Sequence, residues 1–270
     1  MYIISFDVAS KSLAVSLLLF DDNHKNKILI MIDKMKKINQ EIKCIDFNSN
    51  INSIYEILTN VKIILIEYLS VINNMITPIF LDVVDLIPGE KIKNTTVITR
   101  SNRLKSYLNH IDNIIHDEIY KNKKDNNIPI KVLLEYQMGP NDKSRNVCSQ
   151  ILYNYSRVDD INFKSVNTAV AQIDNSDVSY SVEIVGPSIK NKINIDKYKD
   201  HQFFLNKYTN KYDANKKHSS HNFLKWIEMK SLEHMIKKIP KKNIDDIADS
   251  VTMSLSWFKY NIYSVYSMYL

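Results

Sequence analysis

Residues 2–20, "YIISFDVASKSLAVSLLLF", are two apolar runs separated only by the polar turn "ASKS". Short runs rich in Ile, Val, Leu and Phe and bounded by a turn read as buried strands, here 2–8 and 13–20. Strands joined this tightly run antiparallel, so the chain must begin by building a sheet. "KILIMI" at 27–32 reads as a third strand and completes an antiparallel meander. The stretch 33–96 is an insertion or elaboration. It holds another strand-like run, "VKIILIEY" at 61–68, and a turn at Pro88–Gly89.

The spacing changes after this. Leu104, Leu108, Ile111, Ile115 and Ile119 recur at three- and four-residue steps, one face of an amphipathic helix over 100–120. "IKVLLEY" after Pro129 reads as a compact strand, 144–155 as a helix, and "YSVEIVGP" at 180–187 as a further strand. A long helix from about Asn243 closes the chain, with Ile244, Ile247, Ala248, Val251, Leu255 and Phe258 along one side. Such alternation after a meander predicts one mixed α/β sheet flanked by helices, within a single domain 1–270.

An apolar fraction of 44% and a charged fraction of 24% are those of an ordinary globular chain. No apolar run reaches the roughly 18 residues of a membrane helix, so no membrane partner is expected. The start "MYIISFDVASK" lacks a cationic leader. Two distant cysteines, Cys44 and Cys148, suit a reducing intracellular setting. Between Lys190 and Lys242 stand 14 lysines against 5 acids, a local net of +9 in a chain whose total is +6. That concentration points to a polyanionic partner and marks 187–242 as a basic, DNA-contacting segment.

Carboxylates carry the chemistry. Asp7 and Glu135 each close an apolar strand, where a charge is costly unless it is paired or binds metal. Taken singly, each reads as a strand-end acid at a turn. "KKNIDDIADSVTMSL" then sets Asp245, Asp246 and Asp249 within five residues at the start of the last helix. Capping and the helix dipole account for the first two, but the dipole effect fades before Asp249. Strand-end acids together with an i, i+3 pair on a flanking helix can converge on one point. Such hard oxygen donors suit Mg²⁺ or Mn²⁺. Two such ions support phosphodiester hydrolysis. His218 and His221 form an H-x-x-H that reads as surface, and no zinc pattern is present.

"IISFDVASKSLAVSLL", "VLLEYQMGPNDKSRNVCSQILYNY" and "NIDDIADSVTMSL" together resemble the three acidic motifs of RuvC-like Holliday junction resolvases. Within the RNase H-like superfamily, the likeness is to those of poxviruses and related large DNA viruses. The resemblance implies an RNase H-like mixed sheet, a magnesium-dependent endonuclease, and an intracellular site of action in virus-infected cells. It also implies a metal-binding and catalytic tetrad of Asp7, Glu135, Asp246 and Asp249 with two ions, and a catalytic basic residue before the last helix. Lys216 and Lys217 in "DANKKHSSHNFLKW" are the candidates for that residue. Ala9 and Ser12 depart from the family's usual Gly and Asn. Glu67 in "IILIEYLS" rivals Glu135 for the second acid. Glu135 is preferred because it follows the amphipathic helix and carries the downstream "Q…N.KSR" context.

Lys143 and Arg145, just after Glu135, and Lys190, Lys192, Lys207, Lys211 and Lys217 are candidate DNA-binding residues. Aromatics at Tyr198, Phe203, Phe204, Tyr208 and Tyr212 are interleaved among the lysines and suit stacking on exposed bases. Phe203 and Phe204 also suit the core of a small helical hairpin. Branched DNA is the expected substrate. A homodimer is the expected assembly, because paired symmetric cuts call for two sites related by a twofold axis. Other readings are an RNase H-like nuclease acting on another nucleic-acid structure, and a non-catalytic DNA-binding scaffold of the same fold.

Overall fold

The computed structural model describes residues 1–21, 23, 25–44, 51–91, 94–121, 128–135, 142–156, 178–186, 189, 206–208 and 210–267. Five strands make one sheet: β1 (Tyr2–Val8), β2 (Ser12–Phe20), β3 (Ile76–Asp85), β4 (Ile128–Glu135) and β5 (Val178–Val185). Their order across the sheet is β3-β2-β1-β4-β5. β4 runs parallel to β1, and β5 parallel to β4. The short β1–β2 turn, in which the Ala9 N–H donates to the Ser12 carbonyl at 2.9 Å, makes that pair antiparallel. This is the RNase H-like mixed sheet flanked by helices that the resemblance implied.

The helices are α1 (Lys25–Cys44), α2 (Ile51–Met75), α3 (Val97–Lys121), α4 (Asp142–Ser156), α5 (Lys211–Met229), the single turn α6 (Glu233–Ile236) and α7 (Ile244–Ser267). The chain divides into two compact units. One comprises residues 1–18 and 78–263, the other 19–77 and 264–270.

In the first unit, alternation along the strands sends residues to two faces. Phe6 shares its face with Leu134, its partner in register, and with Tyr180 on β5. Tyr155 of α4 lies against this face, its ring 5.7 Å from Phe6 and 5.3 Å from Tyr180. Behind α4 stands α3, held by Gln150 to Ser101 at 2.6 Å and by the Tyr155 hydroxyl to Asp112 at 3.1 Å. Leu104, Leu108, Ile111 and Ile115, the stripe read from the sequence, are all buried.

The opposite face carries Ser5, Lys131 and Glu183, and α7 covers it. Ser250 donates to the Ser5 carbonyl at 2.8 Å and meets the Ser16 hydroxyl at 2.9 Å. One turn on, Ser254 meets the Ser5 hydroxyl at 2.5 Å. All four serines are fully buried. Small hydroxyl side chains let helix and sheet approach closely while satisfying each other's polar atoms. Further along, the Trp257 indole N–H donates to Glu183 at 2.8 Å, and Lys131 pairs with the same carboxylate at 2.9 Å.

Two strand readings are corrected. "KILIMI" at 27–32 lies inside α1, where Ile28, Met31 and Ile38 turn one buried stripe inward. "VKIILIEY" at 61–68 lies inside α2, which runs 25 residues without Gly or Pro. The meander's third strand is instead β3, "ITPIFLDVVD". Pro78 sits within it, which suits a strand at the end of the sheet order, because an edge strand can spare one N–H.

Candidate active site

Asp7 on β1 and Glu135 on β4 each follow directly on the last paired residues, Phe6 and Leu134. They are therefore neighbours on parallel strands about 4.8 Å apart. Their side chains leave the sheet on the α7 side, the face Ser5 also uses. Glu135 is 8% exposed and Asp7 is half-buried. The Cys148 thiol on α4 lies close by, with Sγ 3.7 Å from the Glu135 carbonyl oxygen. Burial, then the negative charges of Glu135 and Asp7, push that thiol up to about 12. Its response places both carboxylates within electrostatic reach of one sulfur.

The serine contacts fix where the aspartates of α7 fall. From Ser5 to Asp7 the strand advances about 6.6 Å. From Ser254 back to Asp249 the helix covers about 7.5 Å. The two elements run oppositely here, because Ser254 meets the Ser5 hydroxyl while Ser250 meets the carbonyl further along the strand. Asp249 is thus carried to the strand end where Asp7 stands. Asp246, one turn before Ser250, lies on the same helix face.

Helix α5 brings the basic residues to the start of α7. Lys216 Nζ lies 3.1 Å from Asp246 Oδ1, and Lys217 Nζ 2.6 Å from Asp245 Oδ2. The Ser220 hydroxyl donates to the other Asp245 oxygen at 2.6 Å. Burial alone would raise the Asp245 carboxyl. Hydrogen bonds from Lys217 and Ser220, with the charges of Lys217 and Lys216, outweigh it and hold Asp245 below the usual range. Two of the three crowded aspartates therefore have ammonium partners supplied by the chain itself.

The donor set fits a hard divalent cation in type, being carboxylate throughout. It does not fit in placement. Among the described residues, no three His, Cys, Asp or Glu side chains gather closely enough to hold an ion. Asp246 turns an oxygen to Lys216 instead.

The remaining candidates are dispersed. Arg145 is exposed and pairs with Asp142 on its own helix, and Lys143 is half-buried on the first turn of α4. Lys207 is exposed, its ammonium 6.0 Å from the Tyr208 ring centre. Lys211 begins α5. Lys190, Lys192, Tyr198, Phe203 and Phe204 lie outside the described residues. Glu67 ends no strand; it is an exposed residue of helix α2. His218, read as surface, is 2% exposed, with Nε2 3.3 Å from the Asn222 amide nitrogen. It falls on the α5 face that also buries Ala214 and Ile227.

Sequence reasoning passed over Ser5, Ser16, Ser250, Ser254 and Ser220. Their signal was present as small polar residues inside otherwise apolar runs, with Ser250 and Ser254 spaced i, i+4. Among the described residues no helix is long and apolar enough to cross a membrane.

Residues 189–261 match the family model described as Poxvirus A22 protein. A search of curated proteins finds no match. Among solved structures, the fowlpox virus resolvase in complex with substrate Holliday junction DNA is similar at 15% identity and a TM-score of 0.40, over 96% of this chain and 98% of that one. The family match spans α5 to α7, the segment that pairs lysines with aspartates, and the likeness of this chain is to resolvases of the poxvirus type.

Proposed function

We propose that this protein is a structure-selective DNA endonuclease that resolves four-way junctions by phosphodiester hydrolysis, acting as a homodimer. The observation that carries the reading is the placement of Asp7 and Glu135 side by side at the ends of two parallel strands, on the face where α7 presents Asp246 and Asp249. Carboxylates set so close are unfavourable in a purely structural role. The family match over α5 to α7 supports the same assignment. Mg²⁺ or Mn²⁺, two per site, belongs to the proposal as the source of an activated water and of stabilisation for the leaving oxygen.

The chain's own residues divide the remaining work. Asp7, Glu135, Asp246 and Asp249 supply acceptor oxygens at one end of the sheet. Lys216 and Lys217 stand at the rim of that end and supply positive charge for a backbone phosphate. Lys143, Arg145, Lys207 and Lys211, with Lys190 and Lys192, extend the positive surface for the arms of a branched duplex. Selectivity then comes from shape, because phosphate contacts position DNA without reading its sequence.

A second reading has one observation behind it. Lys216 and Lys217 neutralise Asp246 and Asp245 without any metal, so the aspartate cluster is compatible with a non-catalytic DNA-binding protein of the same fold. Incubating the protein with a labelled four-way junction and with a linear duplex of the same arm sequence, in Mg²⁺ or Mn²⁺, separates the two. The nuclease reading expects paired nicks on the junction alone. Retention of the junction with no cut in either metal selects the scaffold.

A further inference from the structure

The mismatch between the donor chemistry and its placement has a specific cause, the Lys216–Asp246 pair. Asp246 Oδ1 is engaged by Lys216 Nζ at 3.1 Å, with both side chains about a quarter exposed. Lys217 and Ser220 meanwhile take both oxygens of Asp245. Asp245 is thereby tied to α5, whereas Asp246 has a single lysine at an ion-accessible edge. The two pairs differ in how easily they part.

We propose that Lys216 is the resident counter-ion of Asp246 and exchanges with a divalent cation. As the cation takes the carboxylate, the ammonium, keeping its proton, swings free to hold a DNA phosphate. The inference rests on the nuclease reading for its biological use, but not for its physics. It assigns Lys216 as a positioning residue that couples ion binding to polyanion binding. Whatever favours one must favour the other, because coupling free energies are reciprocal. Lys217 stays on Asp245 throughout and holds α5 on α7. Before the exchange, Lys216 keeps the aspartates from repelling one another, so the site stands assembled and neutralised in the absence of metal.

The test is Mn²⁺ binding by titration calorimetry without DNA, on wild type, Lys216→Met and Asp246→Asn, with circular dichroism as the folding control. Methionine keeps the length of the side chain and removes its charge. Exchange predicts that Lys216→Met binds Mn²⁺ about threefold tighter or more, the scale of a partly exposed ion pair. Asp246→Asn should bind more weakly than wild type. A second variant, Lys216→Gln, must tighten binding in the same sense if Lys216→Met fails to fold. Adding a single-stranded oligonucleotide should tighten Mn²⁺ binding in wild type and not in Lys216→Met. Unchanged or weaker Mn²⁺ binding in folded Lys216 variants overturns the proposal. This failure is distinct from failure of the nuclease reading, which would appear as normal exchange in a protein that cuts no junction.

Discussion

Asp7 and Glu135 follow the Phe6–Leu134 pair on adjacent parallel strands, and the Cys148 thiol feels both charges. That thiol is a built-in reporter of the carboxylate pair. At pH 8 a thiol pushed up to about 12 holds roughly a thousandfold less thiolate than an ordinary cysteine with a pKa of about 8.5. Cys148 is expected to resist iodoacetamide at pH 8 and to react faster in Glu135→Gln, where one of the two charges is gone. Peptide mass spectrometry separates its labelling from that of Cys44. An equal rate in the two proteins would mean that the carboxylates do not act on the sulfur.

The serine contacts hold the site's two halves in register. Ser250→Ala leaves the Ser5 carbonyl and the Ser16 hydroxyl without that partner in a fully buried place. A loss of about 1–3 kcal/mol is expected in urea denaturation. Ser149→Ala, an exposed residue that donates only to Arg145 of its own helix, should stay within about 0.5 kcal/mol of wild type. Equal effects from the two variants would contradict a positioning role for Ser250.

Asp112 gives a pH dependence on the other face of the sheet. Burial raises its carboxyl above the usual range, against the opposing hydrogen bonds from Tyr155 and Asn154 and the charge of His116. The native state therefore holds this proton more tightly than the unfolded chain does, and stability is lost as pH rises from about 4 through the native value. Asp112→Asn cannot ionise and keeps an acceptor for the Tyr155 hydroxyl. Its stability relative to wild type should rise between pH 4 and pH 7, measured as the difference in urea midpoints. A flat or falling difference would show that burial does not dominate at this carboxyl.

Much of this fold was legible because its signals are local. The apolar run of β1, the three- and four-residue stripe of α3 and the stripe of α7 each report burial directly through their period. The N-terminal meander was half legible. "KILIMI" is six apolar or near-apolar residues, a length at which strand and buried helix cannot be told apart by period. β3 was missed because Pro78, Asp82 and Asp85 interrupt its apolar pattern, and an edge strand tolerates all three.

At the site, the acids were legible because charge at the end of an apolar run is costly. Their partners were not. Lys216 and Asp246 are 30 residues apart in a lysine-rich segment, and nothing local distinguishes this lysine from its neighbours. The repulsion that drew attention to "DDIAD" is relieved partly by lysines, which only the packing of α5 on α7 reveals.

The most direct test of the central claim is nicking of a synthetic four-way junction by wild type and Asp249→Asn, each with Mg²⁺ and with EDTA. The account predicts paired cuts by wild type in Mg²⁺, none in EDTA, and a loss of at least about a hundredfold in Asp249→Asn with junction binding retained. Junction binding without cutting by wild type in Mg²⁺, or cutting that survives Asp249→Asn unchanged, would contradict it.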